Sequence, residues 1–333
     1  MASIRDIAKR AGVSITTVSR ALNNYNDVGA ETKQRILDIC KEMNYQPNPM
    51  AHNLKAKRAR NIALILSENK KTDANGNIIY RLLLGIQEEC NLNNYDFSII
   101  FTDGRKQTQK TLRELCAERS IGGAVIYGLK NIDPYYTQIR DARIPIACID
   151  FHSDGDKCAS VGMDNESAID ALIELFCQRG KRSIGIINGS TDAEITHLRT
   201  EAFFKACDSR GIPVRREYVR YADFTMQGSY YETLALVKNN PEIDGIFYAS
   251  DLMALGGLRA LREQGIAVPE RIAIAGFDGI EAGGLIQPSI TTIWQDFEGK
   301  GRCAAHCVIA ALEGREYAPV NDIPYVLKKR ESL

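Results

Sequence analysis

The sequence predicts an all-α helix-turn-helix headpiece and hinge, followed by a larger α/β body of two parallel-sheet subdomains. Three observations carry this. Residues 3–23 read as two short helices about a glycine turn. A basic stretch with two prolines, residues 46–60, separates them from the rest. Beyond Asn61, short apolar strands alternate with helical patterns in two successive runs, the mark of parallel α/β sheets.

In the headpiece, Ile4, Ile7, Ala8 and Ala11 recur at helical spacing and give the first helix one apolar face. Gly12 is the expected stop, because glycine enters the left-handed region without a Cβ penalty. Ser14 stands at an N-cap position for the second helix, which buries Val18 and Leu22 and leaves Ile15, Thr16, Ser19 and Arg20 outward. Such a pair either packs as a plain helical hairpin or presents its second helix to the DNA major groove. The polar loop at 24–27 leads to a third helix over about 30–43, with Ile36, Leu37, Ile39, Cys40 and Met43 apolar and Tyr45 covering the core.

Pro47 and Pro49 forbid continuing that helix. Asn48 as N-cap and Pro49 at the first helical position predict a short helix over about 49–55, below the length at which an isolated helix holds in water. It forms only against DNA or a partner; otherwise the stretch is a basic linker. The body then reads as strands at Ile62–Leu66, Phe97–Phe101, Gly123–Tyr127 and Ile146–Ile149, with helices between them, including one over Thr108–Arg119. A second series runs from the helix at Asn165–Arg179 to the helix at Phe297–Leu312. The predicted division is headpiece 1–46, hinge 47–60 and body 61–333. Within the body, one subdomain takes about 61–161 and 291–320, the other about 162–290 and 321–333. Ligands of such sheets bind beyond the carboxyl ends of the strands. The loops there, at 69–77, 150–156, 189–196, 250–251 and 277–279, are rich in small polar and acidic residues.

Charge agrees with a division of labour. The whole chain is neutral, but residues 1–60 hold 11 Lys+Arg against 5 Asp+Glu, and the remaining residues hold 31 against 37. A basic head on an acidic body fits a nucleic-acid-binding module joined to something with another task. With 44% hydrophobic and 25% charged residues, the composition is that of a soluble globular protein. Nine cysteines without a close-spaced framework predict reduced thiols and a cytoplasmic setting. Arg5, Asp6, Lys9 and Arg10 interrupt any apolar leader, and no run approaches the length of a membrane span.

Enzyme motifs fail. After the strand at Ile62–Leu66 stand Ser67, Glu68, Asn69, Lys70 and Lys71, where a dinucleotide fold needs glycines, and no Walker loop exists. Cys303, His306 and Cys307 lack companions at zinc-site spacing and read as helix packing. Asp164 with Glu166, or Asp150 with Asp278, lacks a nucleophile or metal and reads instead as hydrogen-bond acceptors for a polar ligand. No cofactor and no metal is called for.

From residue 3 to about 325 the chain resembles the lactose-repressor/galactose-repressor (LacI/GalR) family of bacterial transcription factors. The headpiece pattern is met at Ile4, Asp6, Ile7, Ala8, Ala11 to Ser14, Thr17 to Arg20, Leu22, Asn23, Val28, Thr32, Asn44 and Tyr45. The hinge pattern is met at Pro47, Asn48, Ala51 and Leu54. In the body it is met at Asp164, Asn165, Arg179, Gly180, Arg199, Ser250 to Gly256, Val268, Pro269, Gly276 to Asp278 and Pro288 to Ile293. His52, Gly29, Gly279 and the loop at 73–77 depart from the pattern.

The resemblance implies a periplasmic-binding-protein-like body and a homodimer on a pseudo-palindromic double-stranded DNA operator. Ile15, Thr16 and Arg20 would face base edges, and Ser3, Ser14, Thr17, Ser19 and Asn23 would hold phosphates. Asn48, Ala51, Leu54 and Lys57 would serve in the hinge, with Leu54 as a minor-groove wedge. A sugar or sugar derivative would lie between the subdomains against Asp150, Arg199, Ser250, Asp278 and Gln295, with Phe224 and Phe297 as apolar walls. The implied function is a cytoplasmic repressor without catalytic residues. A sugar-binding protein would share the body but not the basic headpiece, and a sugar-modifying enzyme would need a catalytic group.

Overall fold

The computed structural model describes residues 3–22, 28–43, 45, 60–67 and 75–333, with residues 75–77 described by backbone alone. Asn23, the hinge residues Asn48, Ala51, Leu54 and Lys57, the predicted helix at 49–55 and most of the loop at 69–77 lie outside them. The chain divides into two compact units, 1–59 and 60–333.

In the first unit, α1 (Ile4–Ala11), α2 (Ile15–Leu22) and α3 (Ala30–Glu42) close on Ile7, Ala8, Ala11, Val18, Ala21, Ile36 and Cys40. Helices this short depend on their ends. The Ser3 hydroxyl and the Asp6 carboxylate cap each other's backbone N–H groups, and Gly12 leaves α1 at φ 65°. Ser14 Oγ accepts the Thr17 N–H at 3.0 Å, a cap worth about 1 kcal/mol. Ala21, not Leu22, is the second fully buried position of α2; Leu22 packs at the margin with Tyr45.

The second unit contains two six-stranded sheets. The first has strand order β11-β5-β4-β3-β1-β2 and is parallel throughout. Its strands are β1 (Asn61–Ser67), β2 (Asp96–Thr102), β3 (Gly123–Tyr127), β4 (Ile146–Ile149), β5 (Cys158–Gly162) and β11 (Val320–Asp322). The second has order β12-β10-β9-β8-β6-β7: β6 (Ile184–Asn188), β7 (Val219–Tyr221), β8 (Gly245–Tyr248), β9 (Ala273–Asp278), β10 (Thr291–Gln295) and β12 (Tyr325–Lys328). Only β12 runs antiparallel, against β10. Each sheet reverses its winding direction once, between β1 and β3 and between β6 and β8, and the crevice of a doubly wound sheet opens at that point.

Helices α4 (Asn75–Leu92), α5 (Gly104–Gln109), α6 (Leu112–Glu118) and α7 (Pro134–Gln138) belong to the first lobe. The second has α8 (Asn165–Gln178), α9 (Glu194–Asp208), α10 (Met226–Asn239) and α11 (Asp251–Glu263). The last helix, α12 (Phe297–Glu313), returns to the first lobe and lies along α4. The strands are short apolar runs because both sheet faces are covered, as β1 with six of its seven residues buried illustrates. Phe176, Phe203, Phe247 and Phe277 fill the second lobe. Each contributes roughly 1.5–3 kcal/mol by leaving water.

Two expectations are corrected. The subdomain division assigned 291–320 to the first lobe, but β10 pairs with β9 and β12, with Ile293 in the second lobe's core. The chain crosses at Asp296, where the Asp296 carboxylate caps α12 through the Gly299 N–H at 2.9 Å. Its third crossing follows β11, so Asn321 and Asp322 stay with the first sheet. The single helix at 108–119 is two, α5 and α6, because Thr111 and Glu114 form a capping box that starts a new helix. The four strands that sequence reading passed over (β5, β7, β11 and β12) are three to five residues long.

Helices α4 and α12 meet backbone to backbone at Gly85 and Gly301. A Cβ at Gly85 would overlap the Glu298 carbonyl, and one at Gly301 the Leu82 carbonyl. Gly85→Ala is therefore expected to lower stability by about 1–3 kcal/mol through overpacking, although alanine favours a helix by about 1 kcal/mol. A thermal melt of the variant at or above the wild-type midpoint would contradict this contact.

Candidate functional site

Two surfaces collect the residues singled out in the sequence. On the first unit, Ile15 is 44% exposed and Thr16 and Arg20 are also exposed, one face of α2. Ser19 and Thr17 are half-buried. The hydroxyls of Ser3, Ser14 and Thr17 already serve as caps or cap partners: Ser3 Oγ donates to Asp6 at 2.7 Å, and Ser14 Oγ lies 2.9 Å from Thr17 Oγ1. An exposed apolar side chain in the first turn and an exposed guanidinium in the last turn of a helix with a capped start suit contact with base edges.

On the second unit the strand ends of both sheets converge. Asp150 follows β4, Tyr127 ends β3, Asp278 ends β9 and Gln295 ends β10. Asp150 (φ 62°) and Asp278 (φ 98°) are both held in the left-handed region, as are Asp223 (φ 52°) and Phe224 (φ 55°) after β7. Non-glycine residues rarely sit there, and such strain concentrates at binding sites. The two aspartates belong to one buried chain of hydrogen bonds. Lys300 Nζ, on α12, donates to Asp150 Oδ1 and, at 2.6 Å, to Gln295 Oε1. Gln295 Nε2 then donates to Asp278 Oδ1 at 2.7 Å. The order Asp150–Lys300–Gln295–Asp278 runs from the first lobe to the second.

Arg199, on α9 and 3% exposed, lies with its guanidinium 3.9 Å from the centre of the Phe277 ring. It donates to the Ala249 carbonyl at 2.6 Å and to Asn165 Oδ1 at 3.3 Å. Burial lowers its pKa, opposed by the charges of Asp278 and Asp150. Burial also pushes the Asp278 carboxyl up to about 6, against the pull of Arg199 and the Gln295 hydrogen bond. The Tyr127 phenol is raised well above its ordinary value by burial, with Asp150 and Asp278 adding to it. At the rim, Glu194 of α9 accepts from the Tyr136 hydroxyl at 2.8 Å and the His152 N–H at 3.0 Å, and Asn131 N–H donates to the Asp192 carbonyl at 2.8 Å. These bonds join the two lobes.

The remaining sequence candidates fare unevenly. Ser250 Oγ caps α11 through the Met253 N–H at 3.2 Å, so it reaches the site as a cap residue. Phe224 is half-buried with its ring against Gly189. Phe297 is fully buried in the first lobe's core, its ring beneath the Lys300 ammonium at 5.3 Å, and so forms the floor rather than an open wall.

Sequence reading missed Lys300, Tyr127, Arg81 and Asp251. Lys300 had a signal: it falls three after Phe297 and four before Ala304, on the apolar face of its own helix. Arg81 donates to the Gln295 carbonyl at 3.1 Å and stands 5.2 Å over Trp294, a contact no spacing announces. Asp251, fully buried, accepts the Ile280 N–H at 2.8 Å and so pins the turn that carries Asp278. Burial first, and the Asp278 charge second, push its carboxyl up to about 8.

Comparison with known proteins finds matches in both units. Residues 3–48 match the family described as bacterial regulatory proteins, lacI family, and residues 173–333 match the periplasmic binding protein-like domain. The transcriptional regulator RegA of Clostridium acetobutylicum is 29% identical over 321 residues, covering 95% of this chain and 94% of its own. The transcriptional repressor PurR of Serratia proteamaculans is 28% identical over 337 residues, covering 100% and 97%. Among solved structures, the regulator CelR in complex with cellobiose superposes with a TM-score of 0.76 at 25% identity over the whole of both chains. A Lac repressor dimer bound to operator and the anti-inducer ONPF superposes with a TM-score of 0.83 at 23% identity, covering 99% and 98%, a likeness of fold.

The Asp251 carboxyl carries a pH signature. Folded, it keeps its proton to about pH 8; unfolded, it loses it near 4, so its contribution to stability falls as pH rises between those values. Asp251→Asn, which retains an acceptor for the Ile280 N–H, is expected to melt progressively higher relative to wild type from pH 5 to pH 8.5. A difference between the two melting points that does not change with pH would show that the carboxyl is ionised in the fold.

Proposed function

The chain belongs to the lacI family of bacterial regulatory proteins, and on that premise we propose that it is a sequence-specific DNA-binding transcriptional repressor controlled by a small, sugar-like effector. One observation carries the reading. A single chain joins a helix-turn-helix with Ile15, Thr16 and Arg20 outward to a two-lobed body in which buried polar side chains of both lobes meet at the strand ends.

In this reading Arg20 makes a paired contact to a guanine edge, Ile15 and Thr16 complete base recognition, and Ser3, Ser14, Thr17, Ser19 and Asn23 hold phosphates. Asn48, Ala51, Leu54 and Lys57 act in the minor groove, with Leu54 as the wedge that bends the site. Two copies bind a pseudo-palindromic operator. Support for a partner copy comes from the exposed apolar residues Tyr80 and Leu84, one turn apart on α4, and Ile99 and Phe101, on one face of the edge strand β2. The effector bonds to Asp150, Arg199, Asp278 and Gln295, with Phe224 bounding an apolar face, Phe297 beneath Lys300 as the floor, and Ser250 capping the helix after β8. CelR in complex with cellobiose is a precedent for a carbohydrate ligand in this fold. The protein is a regulator rather than an enzyme, and acts in the cytoplasm; no described helix is long and apolar enough to cross a membrane.

The effector acts by preferring one arrangement of the lobes, since a ligand shifts an equilibrium only by its differential affinity. The bonds from Glu194 to Tyr136 and His152 and the Asp150-to-Asp278 chain are the contacts that distinguish such arrangements.

Selection of bound sequences from a random DNA pool gives the operator. Against it, Arg20→Ala is expected to lose about 1–3 kcal/mol of discrimination at one base position while keeping the fold. Unchanged base preference would remove α2 as the reading helix. Arg199→Ala is expected to keep operator affinity and lose the effector response in a reporter strain; a normal response would take Arg199 out of the site.

A further inference from the structure

The buried charges of the cleft cancel. Arg199 and Lys300 are 3% and 1% exposed, and Asp278 is 8% exposed. Asp150, beside Lys300, is the second carboxylate; Asp251, whose carboxyl burial pushes up to about 8, stands behind Asp278 on the Ile280 N–H rather than on either cation. Two cations therefore face two carboxylates. Both cations are directed at protein acceptors: Lys300 at Asp150 and Gln295, Arg199 at the Ala249 carbonyl and Asn165. Among the described residues each carboxylate makes its side-chain hydrogen bond through Oδ1, so Oδ2 of both Asp150 and Asp278 can accept from a ligand. Arg81, half-buried, donates to the Gln295 carbonyl and covers Trp294. The site thus offers acceptors to hydroxyl donors, and each of its two buried cations already bonds protein acceptors and has its charge offset by a carboxylate. A phosphate would bring about −1.5 to −2 charges into a balanced, desolvated site, and an ammonium would bring one positive charge; neither finds a buried counter-ion.

We propose that Lys300 is a specificity-determining residue that balances the Asp150 and Asp278 carboxylates, so that the cleft takes an uncharged, hydroxyl-rich effector and rejects phosphorylated and amino analogues of it. This rests on the effector reading above. Lys300 acts through the two aspartates it neutralises, holding Asp150 directly and Asp278 through Gln295.

The test uses the full chain in thermal-shift titrations with matched sets: glucose, glucose 6-phosphate and glucosamine; ribose and ribose 5-phosphate; cellobiose. For wild type, a neutral member should raise the midpoint, with its phosphate or amine at least tenfold weaker. Lys300→Met should lose at least tenfold for the neutral sugar and narrow the gap to the amine, and Lys300→Arg should restore the wild-type order. A phosphate or amine that binds wild type more tightly than its parent overturns the proposal, as does an unchanged gap between neutral sugar and amine in Lys300→Met.

If no sugar of any class shifts wild type, the sugar reading fails, and a ligand-free measurement still decides the charge balance. Without Lys300, Asp278 faces only Arg199 as a cation, with Tyr127 and Asp251 beside it, so folding favours its protonated form more strongly. The deficit in melting point of Lys300→Met relative to wild type should then grow from pH 5 to pH 8. A constant deficit overturns the balance. Lys300→Gln, which keeps a hydrogen-bond donor without the charge, makes the same measurement if the methionine variant does not fold.

Discussion

The ammonium of Lys300 lies where the two lobes share a polar group buried away from water. It bonds a carboxylate from the first lobe and an amide from the end of the second lobe's β10, and that amide continues to Asp278. Desolvating an ion costs several kcal/mol, so the arrangement persists only while each member holds its neighbour. Other features of the site answer to this constraint. Asp150 and Asp278 adopt left-handed backbone conformations that aim their carboxyls at the chain, Asp251 pins the turn after Asp278, and Arg199 balances the remaining charge.

That position is available because of where the chain crosses. Gln295 ends a strand of the second sheet, Asp296 caps the next helix, and Lys300 lies one turn into that helix, which belongs to the first lobe. Six residues therefore span both lobes and contribute two members of the polar chain. Close packing at Gly85 and Gly301 holds α12 against α4, which fixes the depth of Lys300 and brings Arg81 of α4 to the Gln295 carbonyl. A ligand that changed the angle between lobes would have to rearrange this junction, where a conformational preference becomes a binding preference.

The headpiece is organised differently. Its helices are short, its core among the described residues is seven buried side chains, and its ends are held by local caps at Ser3, Asp6, Gly12 and Ser14. The exposed residues of α2 are presented by a frame built almost entirely from neighbours in sequence.

This difference explains what could be read in advance. The sequence by itself determined the headpiece and the alternation of strands and helices, because periodicity and caps are local patterns; it put Asp150 and Asp278 in strand-end loops, whereas Arg199 and Gln295 became candidates through the family resemblance. It placed β10 in the wrong lobe and joined α5 to α6, since strand partnership is non-local and the Thr111 cap was not weighed. Lys300 carried a faint local signal on the apolar face of its helix, but its partners lie 150 and 5 residues away, and nothing in the spacing names them. Only the tertiary structure decided that Phe297 is floor, that Ser250 is a cap, and that Asp251 holds its proton. Burial and charge pairing are properties of the assembled interior, where the cost of an unpaired group is set by neighbours distant in sequence.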